Sequence, residues 1–172
     1  MSLPRRPALD VISHSPEQTR SIGALLGRSL ERGSLVLLGG MIGVGKTTLA
    51  QGIARGLRVD TDVLSPTFTL VTEHDGLDPH DRPVRIYHID LYRIEDEDDL
   101  LSFGFEEYLA DPDGITIVEW PERAGSMLPP GHLYIEINTV ADTKRSIAFS
   151  PRDERYRPVI EGLRREMAGA RG

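Results

Sequence analysis

A glycine-rich loop that ends in a lysine and a threonine is the segment of this chain best suited to chemistry. Residues 40–47 read Gly-Met-Ile-Gly-Val-Gly-Lys-Thr and fit the pattern G-x-x-x-x-G-K-[ST] without a gap. Backbone N–H groups around Gly40, Gly43 and Gly45 would curl around a polyphosphate, and the start of the following helix would add positive potential. Lys46 would reach the β- and γ-phosphates, and the hydroxyl of Thr47 would ligate Mg²⁺.

The flanking segments are those that such a loop requires. The apolar run 35–38 predicts a buried strand before the loop, and residues 47–57 are compatible with a helix after it. A glycine-rich turn that merely joins a strand to a helix is the alternative interpretation. The complete motif in this context strongly favours phosphate binding.

Two acidic residues stand at the ends of predicted strands, where ligands of open α/β sheets bind. Asp90 ends the alternating run 84–90, and Glu119 ends the mostly apolar run 115–119. Hydrolysis of a nucleotide needs an acid that holds the metal and a group that orients water, and these two residues are the candidates for catalysis and metal binding, together with Lys46. The sequence is equally compatible with Asp90 and Glu119 being ordinary turn residues without a role in chemistry.

Further candidates carry weaker signals. Ser65 and Thr67 could form a switch that senses the γ-phosphate, although a strand entry started by Pro66 is favoured by spacing alone. Trp120, the single tryptophan, is ordinarily a core residue but could stack on a base or contact a partner at the ligand edge. The five histidines have no metal-ligand spacing and are assigned no chemistry.

The remaining pattern predicts an α/β fold of the P-loop NTPase type, with a doubly wound, mainly parallel sheet flanked by helices. A capping box at 15–18 starts a helix over 16–31, and two further helices are predicted over 97–109 and 155–167. The other strands are predicted over 67–73, 133–139 and 146–149.

Composition bounds the functional class. The 172 residues suffice for one domain over 1–172, with flexible ends near 1–8 and 168–172, and the absence of cysteine excludes thiol chemistry. The chain has no signal-peptide run and no long apolar segment, so we expect a cytoplasmic protein without a membrane partner. The net charge of −7 disfavours broad binding of nucleic acid by this chain alone.

Four sequence blocks together resemble one family. In order and spacing the chain is similar to the TsaE (YjeE) family through the segments 40–48, 65–70 (Ser-Pro-Thr-Phe-Thr-Leu), 87–93 (Tyr-His-Ile-Asp-Leu-Tyr-Arg) and 118–121 (Val-Glu-Trp-Pro). The resemblance implies ATP and Mg²⁺ as cofactors, slow ATP hydrolysis, and a role in forming threonylcarbamoyladenosine at position 37 of tRNAs that read ANN codons. It also implies TsaD and TsaB as partners, with tRNA contacted only indirectly.

The resemblance assigns roles to individual residues. It implies phosphate binding by the loop and first helical turn, namely by Gly43, Val44, Gly45, Lys46, Thr47 and Thr48. Mg²⁺ would be held by Thr47 and Glu119, with Asp90 close to the metal and the attacking water. Nucleotide contacts are implied for Ser65, Thr67, Trp120 and Arg145, and the helix start 15–19 would lie toward the adenine.

One position departs from the family pattern, because Met41 stands where the family usually has an aspartate. The backbone cradle does not depend on that side chain, but hydrolysis could be weaker. A non-catalytic, nucleotide-gated binding module is therefore one alternative. A small-molecule kinase with a lid formed by Arg152, Arg155 and Arg157 is another. A GTPase is disfavoured because no N-K-x-D motif is present.

Overall fold

The computed structural model describes residues 6–60 and 70–169, which form one sheet with helices against both faces. The described strands are β1 (Leu9–Ser13), β2 (Leu35–Gly39), β3 (Val71–Leu77), β4 (Pro83–Asp90), β5 (Gly114–Glu119), β6 (Leu133–Ala141) and β7 (Lys144–Pro151). The described helices are α1 (Pro16–Gly27), α2 (Lys46–Gly56), α3 (Glu97–Phe103), α4 (Phe105–Ala110) and α5 (Arg157–Gly169). Two 3-10 segments cover Pro121–Met127 and Glu154–Tyr156.

Within the described residues the sheet has the order β1-β7-β6-β2-β5-β4-β3. The four central strands β6, β2, β5 and β4 are parallel, whereas β3, β7 and β1 run antiparallel to their neighbours. The parallel centre agrees with the predicted P-loop NTPase-like α/β fold, and the antiparallel edges make the sheet mixed. Because the central strands share one direction, their carboxyl ends meet at one edge.

Two apolar clusters explain why helices cover both faces. Alternate residues of β2 point to opposite sides, so Val36 and Leu38 join α1, α2 and α5 in one cluster. Leu35 and Leu37 face the other cluster, which includes Leu100 of α3 and Phe105 of α4. A strand buried on both faces in this way is typical of doubly wound folds.

Helices α1 and α2 approach each other more closely than side chains would allow. A Cβ added at Gly27 would lie 2.2 Å from the Ile53 carbonyl oxygen, and one at Gly52 would lie 2.2 Å from the Arg20 carbonyl oxygen. Gly23 and Gly56 make similar contacts. These glycines let the two backbones touch, which fixes α1 against the helix that begins at the phosphate-binding loop.

Several predicted boundaries are wrong, for physical reasons. The helix predicted over 16–31 ends at Gly27, and Leu30 remains buried because a tight turn follows, in which its N–H bonds to the Gly27 carbonyl. The helix predicted over 97–109 is two helices, because Gly104 takes a left-handed conformation with φ +78°. This break brings Phe103 and Phe105 into an edge-on ring contact.

The strand prediction missed β1 and misplaced β3. Strand β1 pairs with β7 at the sheet edge, and its buried residues Val11 and Ser13 alternate over only five positions. Strand β3 covers Val71–Leu77 rather than 67–73, and residues 67–69 lie outside the described residues.

Both described ends of the chain join the fold. The N–H of Ala8 donates to the carbonyl of Phe149, and α5 continues to Gly169. Among the described helices, none combines the length and the apolar character needed to cross a lipid bilayer.

Candidate phosphate-binding site

The predicted loop lies between the end of β2 and the start of α2. Gly40 has φ +137°, and a Cβ there would come within 2.5 Å of the Ile137 carbonyl oxygen, so the loop packs tightly on β6. Gly43 and Gly45 also have positive φ angles, but a Cβ at either would meet nothing within 4 Å. These two glycines therefore let the loop adopt its curve while they face an open cleft.

The first turn of α2 presents unpaired donors to this cleft. Gly45 is the N-cap residue, and no side chain caps the helix. The first N–H groups of a helix have no partner within the helix, and the aligned peptide dipoles make this end positive. Lys46, Thr47 and Thr48 lie in this turn and line a cleft of about 330 Å³. The arrangement suits an anion with several oxygen acceptors.

Lys46 is folded back over the loop. Its Nζ donates hydrogen bonds to the carbonyls of Gly40 and Met41, the latter at 3.3 Å, and lies 3.6 Å from the centre of the Trp120 ring. The residue is only 4% exposed. Burial lowers the pKa of Lys46, although the carboxylates of Glu119, Glu122, Asp90 and Glu136 act in the opposite direction. The ammonium is thus poorly hydrated and close to where phosphates would bind.

Glu119 connects the loop helix to the neighbouring strands. It is the last residue of β5, and strand register places it beside Leu38 of β2 and Asp90 of β4. The Thr47 hydroxyl donates to the carboxylate, at 3.2 Å from Oε1 and 3.1 Å from Oε2. Nε2 of His88 lies 2.6 Å from Oε2. Glu119 is only 3% exposed, so these bonds satisfy a buried carboxylate.

Asp90 lies across from Glu119 at the same sheet edge. Its Oδ1 accepts a hydrogen bond of 2.9 Å from the N–H of Tyr92, and Asp90, Glu119 and the loop residues line the same cleft. The structure thus brings together the three predicted catalytic residues: Lys46, Asp90 and Glu119.

Trp120 and Tyr92 form the rim of the cleft. Trp120 takes the left-handed conformation, with φ +59°, which is uncommon for a bulky residue and turns the chain sharply after β5. The Tyr92 and Trp120 rings lie 5.1 Å apart, and Tyr92 is about half exposed. Trp120 is therefore a rim residue between the loop lysine and solvent, which agrees with its predicted position at the ligand edge.

A second cleft of about 290 Å³ adjoins the first and shares Gly43, Gly45 and Thr48 with it. Its wall combines the start of α1 with the turn between β6 and β7, through His14, Ser15, Pro16, Thr19, Asp142, Thr143 and Arg145. The Arg145 guanidinium donates to the Val44 carbonyl at 3.0 Å. The predicted helix start and Arg145 thus lie on one side of the loop, and the acidic residues lie on the other.

Two of the predicted residues cannot be placed, since Ser65 and Thr67 lie outside the described residues. Two residues of the site were not predicted from the sequence. His88 has no metal-ligand spacing, although it lies two positions before Asp90 on the same strand, and Tyr92 lies at the rim. Met41, which stands in place of the usual acid, is 74% exposed, while its carbonyl accepts from Lys46.

The residues present fit a magnesium ion that is bound together with a phosphate ligand. No group of three or more acidic, histidine or cysteine residues that could hold a metal alone occurs in the described ranges. Mg²⁺ at a phosphate site needs only one or two protein ligands, because phosphate oxygens and water complete its octahedron. The Thr47 hydroxyl and the adjacent Glu119 carboxylate are suitable donors.

The parallel centre of the sheet, the loop at its carboxyl edge and the acids beside it define a P-loop NTPase-like α/β protein. Residues 13–147 match the family model described as threonylcarbamoyl adenosine biosynthesis protein TsaE. The chain belongs to the TsaE family.

Individual relatives agree with this assignment. The TsaE protein of Bacillus subtilis is 38% identical over 152 residues, which cover 88% of this chain and 90% of that protein. The Treponema pallidum TsaE protein is 35% identical, with 81% of this chain and 98% of that protein covered. The crystal structure of Bacillus subtilis YdiB aligns with a TM-score of 0.77 at 31% identity and covers 92% of this chain and 95% of that one.

Proposed function

We propose that this protein is a magnesium-dependent ATPase that acts as an accessory in the threonylcarbamoyladenosine modification of tRNA. Its membership of the TsaE family and the names of its relatives support the role in tRNA modification. The observation that carries the ATPase proposal is the convergence of Lys46, Thr47, Asp90 and Glu119 on one cleft beside an uncapped helix start.

The loop and the first turn of α2 would bind the phosphates through backbone N–H groups, and Lys46 would move from the Gly40 and Met41 carbonyls to phosphate oxygens. The second cleft, on the side of Arg145 and the start of α1, would hold the nucleoside. With this division the terminal phosphate would lie beside Lys46, Glu119 and Asp90, because these residues line only the first cleft.

The charge of the site supports a requirement for a divalent cation. Four carboxylates act on Lys46 electrostatically, so one ammonium group cannot balance both them and a triphosphate. Thr47 and Glu119 would hold Mg²⁺, which when bound would neutralise charge on the transferred phosphoryl group. Asp90, which pairs in register with Glu119 at the same sheet edge, would orient the attacking water.

The protein would work beside TsaD and TsaB rather than bind tRNA by itself. The segment 73–113 carries 14 acidic residues against three arginines, which opposes direct contact with a phosphate backbone. ATP binding and hydrolysis would change the association with those partners. The exposed side chains of Tyr92 and Ile42 line the cleft, and exposed Met41 precedes Ile42 in the loop, so this surface is near enough to the cleft to respond to its occupancy.

Two of the three arginines considered for a kinase lid, Arg152 and Arg155, make contacts away from the phosphate-binding loop. The N–H of Arg152 bonds to the His132 carbonyl, and Arg155 donates to the carbonyls of Arg32 and Gly33. These contacts lie before β6 and β2 begin, at the sheet edge opposite the phosphate-binding loop.

Phosphate release from MgATP tests the proposal, measured with the purified protein alone and with TsaD, TsaB and substrate tRNA. We expect slow release that requires Mg²⁺ and that Lys46→Ala abolishes. Unchanged ATP in both mixtures would refute the ATPase. Tight ATP binding without turnover would instead favour the nucleotide-gated binding module, for which the replacement of the usual acid by Met41 is the supporting observation.

A further inference from the structure

His88 is buried directly behind the acidic end of β5. It is 1% exposed, lies on β4 two positions before Asp90, and pairs in register with Ile117 rather than with Glu119. Its ring nevertheless reaches diagonally to the Glu119 carboxylate, with Nε2 2.6 Å from Oε2. The same strand therefore supplies one acid to the cleft and a hydrogen-bonding partner to the other acid.

The bond between His88 and Glu119 has a direction. A carboxylate can only accept, so Nε2 of His88 carries the proton and donates. Nδ1 is buried and has no hydrogen-bond partner among the described residues. An unpaired buried N–H is rarer and more costly than a bare nitrogen, so the neutral imidazole carries its proton on Nε2 rather than on Nδ1.

Two side chains donate hydrogen bonds to Glu119, and only one of these bonds has to change when Mg²⁺ binds. On one side the Thr47 hydroxyl donates to it, and on the other side His88 does. If Thr47 turns its oxygen lone pairs to Mg²⁺, as the proposed function requires, its bond to Glu119 has to change. The bond from His88 comes from a buried strand position away from the cleft and need not change.

We propose that His88 is a positioning residue that holds Glu119 in its productive orientation through the Nε2–H bond. This inference rests on the proposed function. Partners behind a metal ligand or catalytic carboxylate typically change metal affinity or activity by about 10–100-fold when they are removed. His88 is not among the described residues that line the cleft and reaches the site through Glu119, so its loss affects turnover and metal dependence rather than nucleotide affinity.

Two substitutions separate positioning from packing. His88→Leu keeps an apolar side chain of similar bulk but removes the donor, whereas His88→Gln retains an N–H group at comparable reach. Ile86→Val is the matched control, because Ile86 lies two positions earlier on β4, is equally buried and pairs in register with Ile115, four positions before Glu119. Circular dichroism and thermal unfolding verify that each variant is folded.

For His88→Leu we expect kcat to fall about 10–100-fold and the Mg²⁺ concentration for half-maximal activity to rise by a similar factor. We expect KM for ATP and ATP affinity in EDTA to stay within about threefold, and His88→Gln to recover most of the loss. Wild-type kinetics in folded His88→Leu would overturn the proposal while leaving the ATPase intact. An equal loss in folded His88→Gln would also overturn it. Absence of ATP hydrolysis in the wild type would remove the proposed function and this role with it.

A second readout needs no nucleotide. In protein labelled with ¹⁵N-histidine, the imidazole spectrum assigns the proton to Nε2 or Nδ1 directly. We expect a protonated Nε2 in the wild type, with a signal that shifts in Glu119→Gln. A proton on Nδ1 with a bare Nε2 would overturn the proposal, since no donor would then face Glu119.

Discussion

Replacing Lys46 with methionine should separate the role of its ammonium group in binding from its effect on stability. In the free protein the side chain is almost fully buried, and burial lowers its pKa in spite of four nearby carboxylates. The fold thus disfavours the charged form relative to water. Methionine has a similar length and no charge, so Lys46→Met is expected to keep or raise the free energy of unfolding at pH 7.

The pH dependence of this difference has a defined sign. Between the lowered pKa of Lys46 in the folded protein and the ordinary lysine pKa of 10.5, the unfolded chain binds more protons than the folded protein. The stability of the wild type therefore rises with pH in that alkaline window. Lys46→Met lacks this contribution, so its advantage should shrink as pH approaches 10.5.

ATP affinity should change in the opposite direction. Nζ now donates to the carbonyls of Gly40 and Met41, and we expect two such bonds to move to phosphate oxygens. At about 1.5–2 kcal/mol for each charge-assisted bond, their loss costs about 3–4 kcal/mol of binding free energy. This corresponds to roughly a 10²–10³-fold rise in Kd.

Urea unfolding and calorimetric titration with MgATP measure the two effects. Lys144→Met is the matched control, because Lys144 is the other lysine in the chain and is exposed on β7. The reasoning is refuted if Lys46→Met binds ATP within about threefold of the wild type. It is also refuted if this variant loses more than about 2 kcal/mol of stability, a loss typical of a structural buried charge.

Three further predictions concern the site and the scaffold. Glu119→Gln should bind ATP within about threefold of the wild type but lose at least about 10²-fold in kcat, and equal phosphate-release rates for the two proteins would exclude Glu119 from the reaction. Gly52→Ala should lower the free energy of unfolding in urea by about 2–4 kcal/mol, because its Cβ would lie 2.2 Å from the Arg20 carbonyl oxygen. Gly162→Ala, whose Cβ would meet nothing within 4 Å, should raise it by up to about 1 kcal/mol. Similar values for both variants would contradict the close contact between α1 and α2. Tyr87 donates to Asp111 at 2.5 Å and lowers the pKa of that carboxyl, so Tyr87→Phe should cost about 1 kcal/mol at pH 7. The difference in stability between the wild type and Tyr87→Phe should disappear as the pH falls below 3.8 and Asp111, whose pKa is lowered, becomes protonated. A stability difference that stays constant down to about pH 2.5 would refute this linkage.

The part of the site that depends on the order of neighbouring segments along the chain could be predicted from the sequence. A complete loop motif between an apolar strand and a helix defines its own geometry, and the acids that end β4 and β5 reach the same edge because parallel strands share a direction. Lys46, Thr47, Asp90 and Glu119 accordingly lie together.

The features that sequence analysis missed depend on contacts between distant segments. The bond from His88 to Glu119 requires the diagonal pairing of β4 with β5, which no single segment encodes. The role of the glycines of α1 and α2 is apparent only when the two helices are packed against each other. At Gly104 the helical pattern continues on both sides, so the left-handed break was not apparent from hydrophobic periodicity.

Calorimetric titration of the wild-type protein with Mg²⁺ and a non-hydrolysable ATP analogue tests the central claim most directly, because it needs neither partners nor turnover. The loop, the uncapped start of α2 and Lys46 predict a saturable heat with about one nucleotide per chain, weakened by about 10²–10³-fold in Lys46→Met. No heat at millimolar nucleotide with the folded wild-type protein would contradict the account.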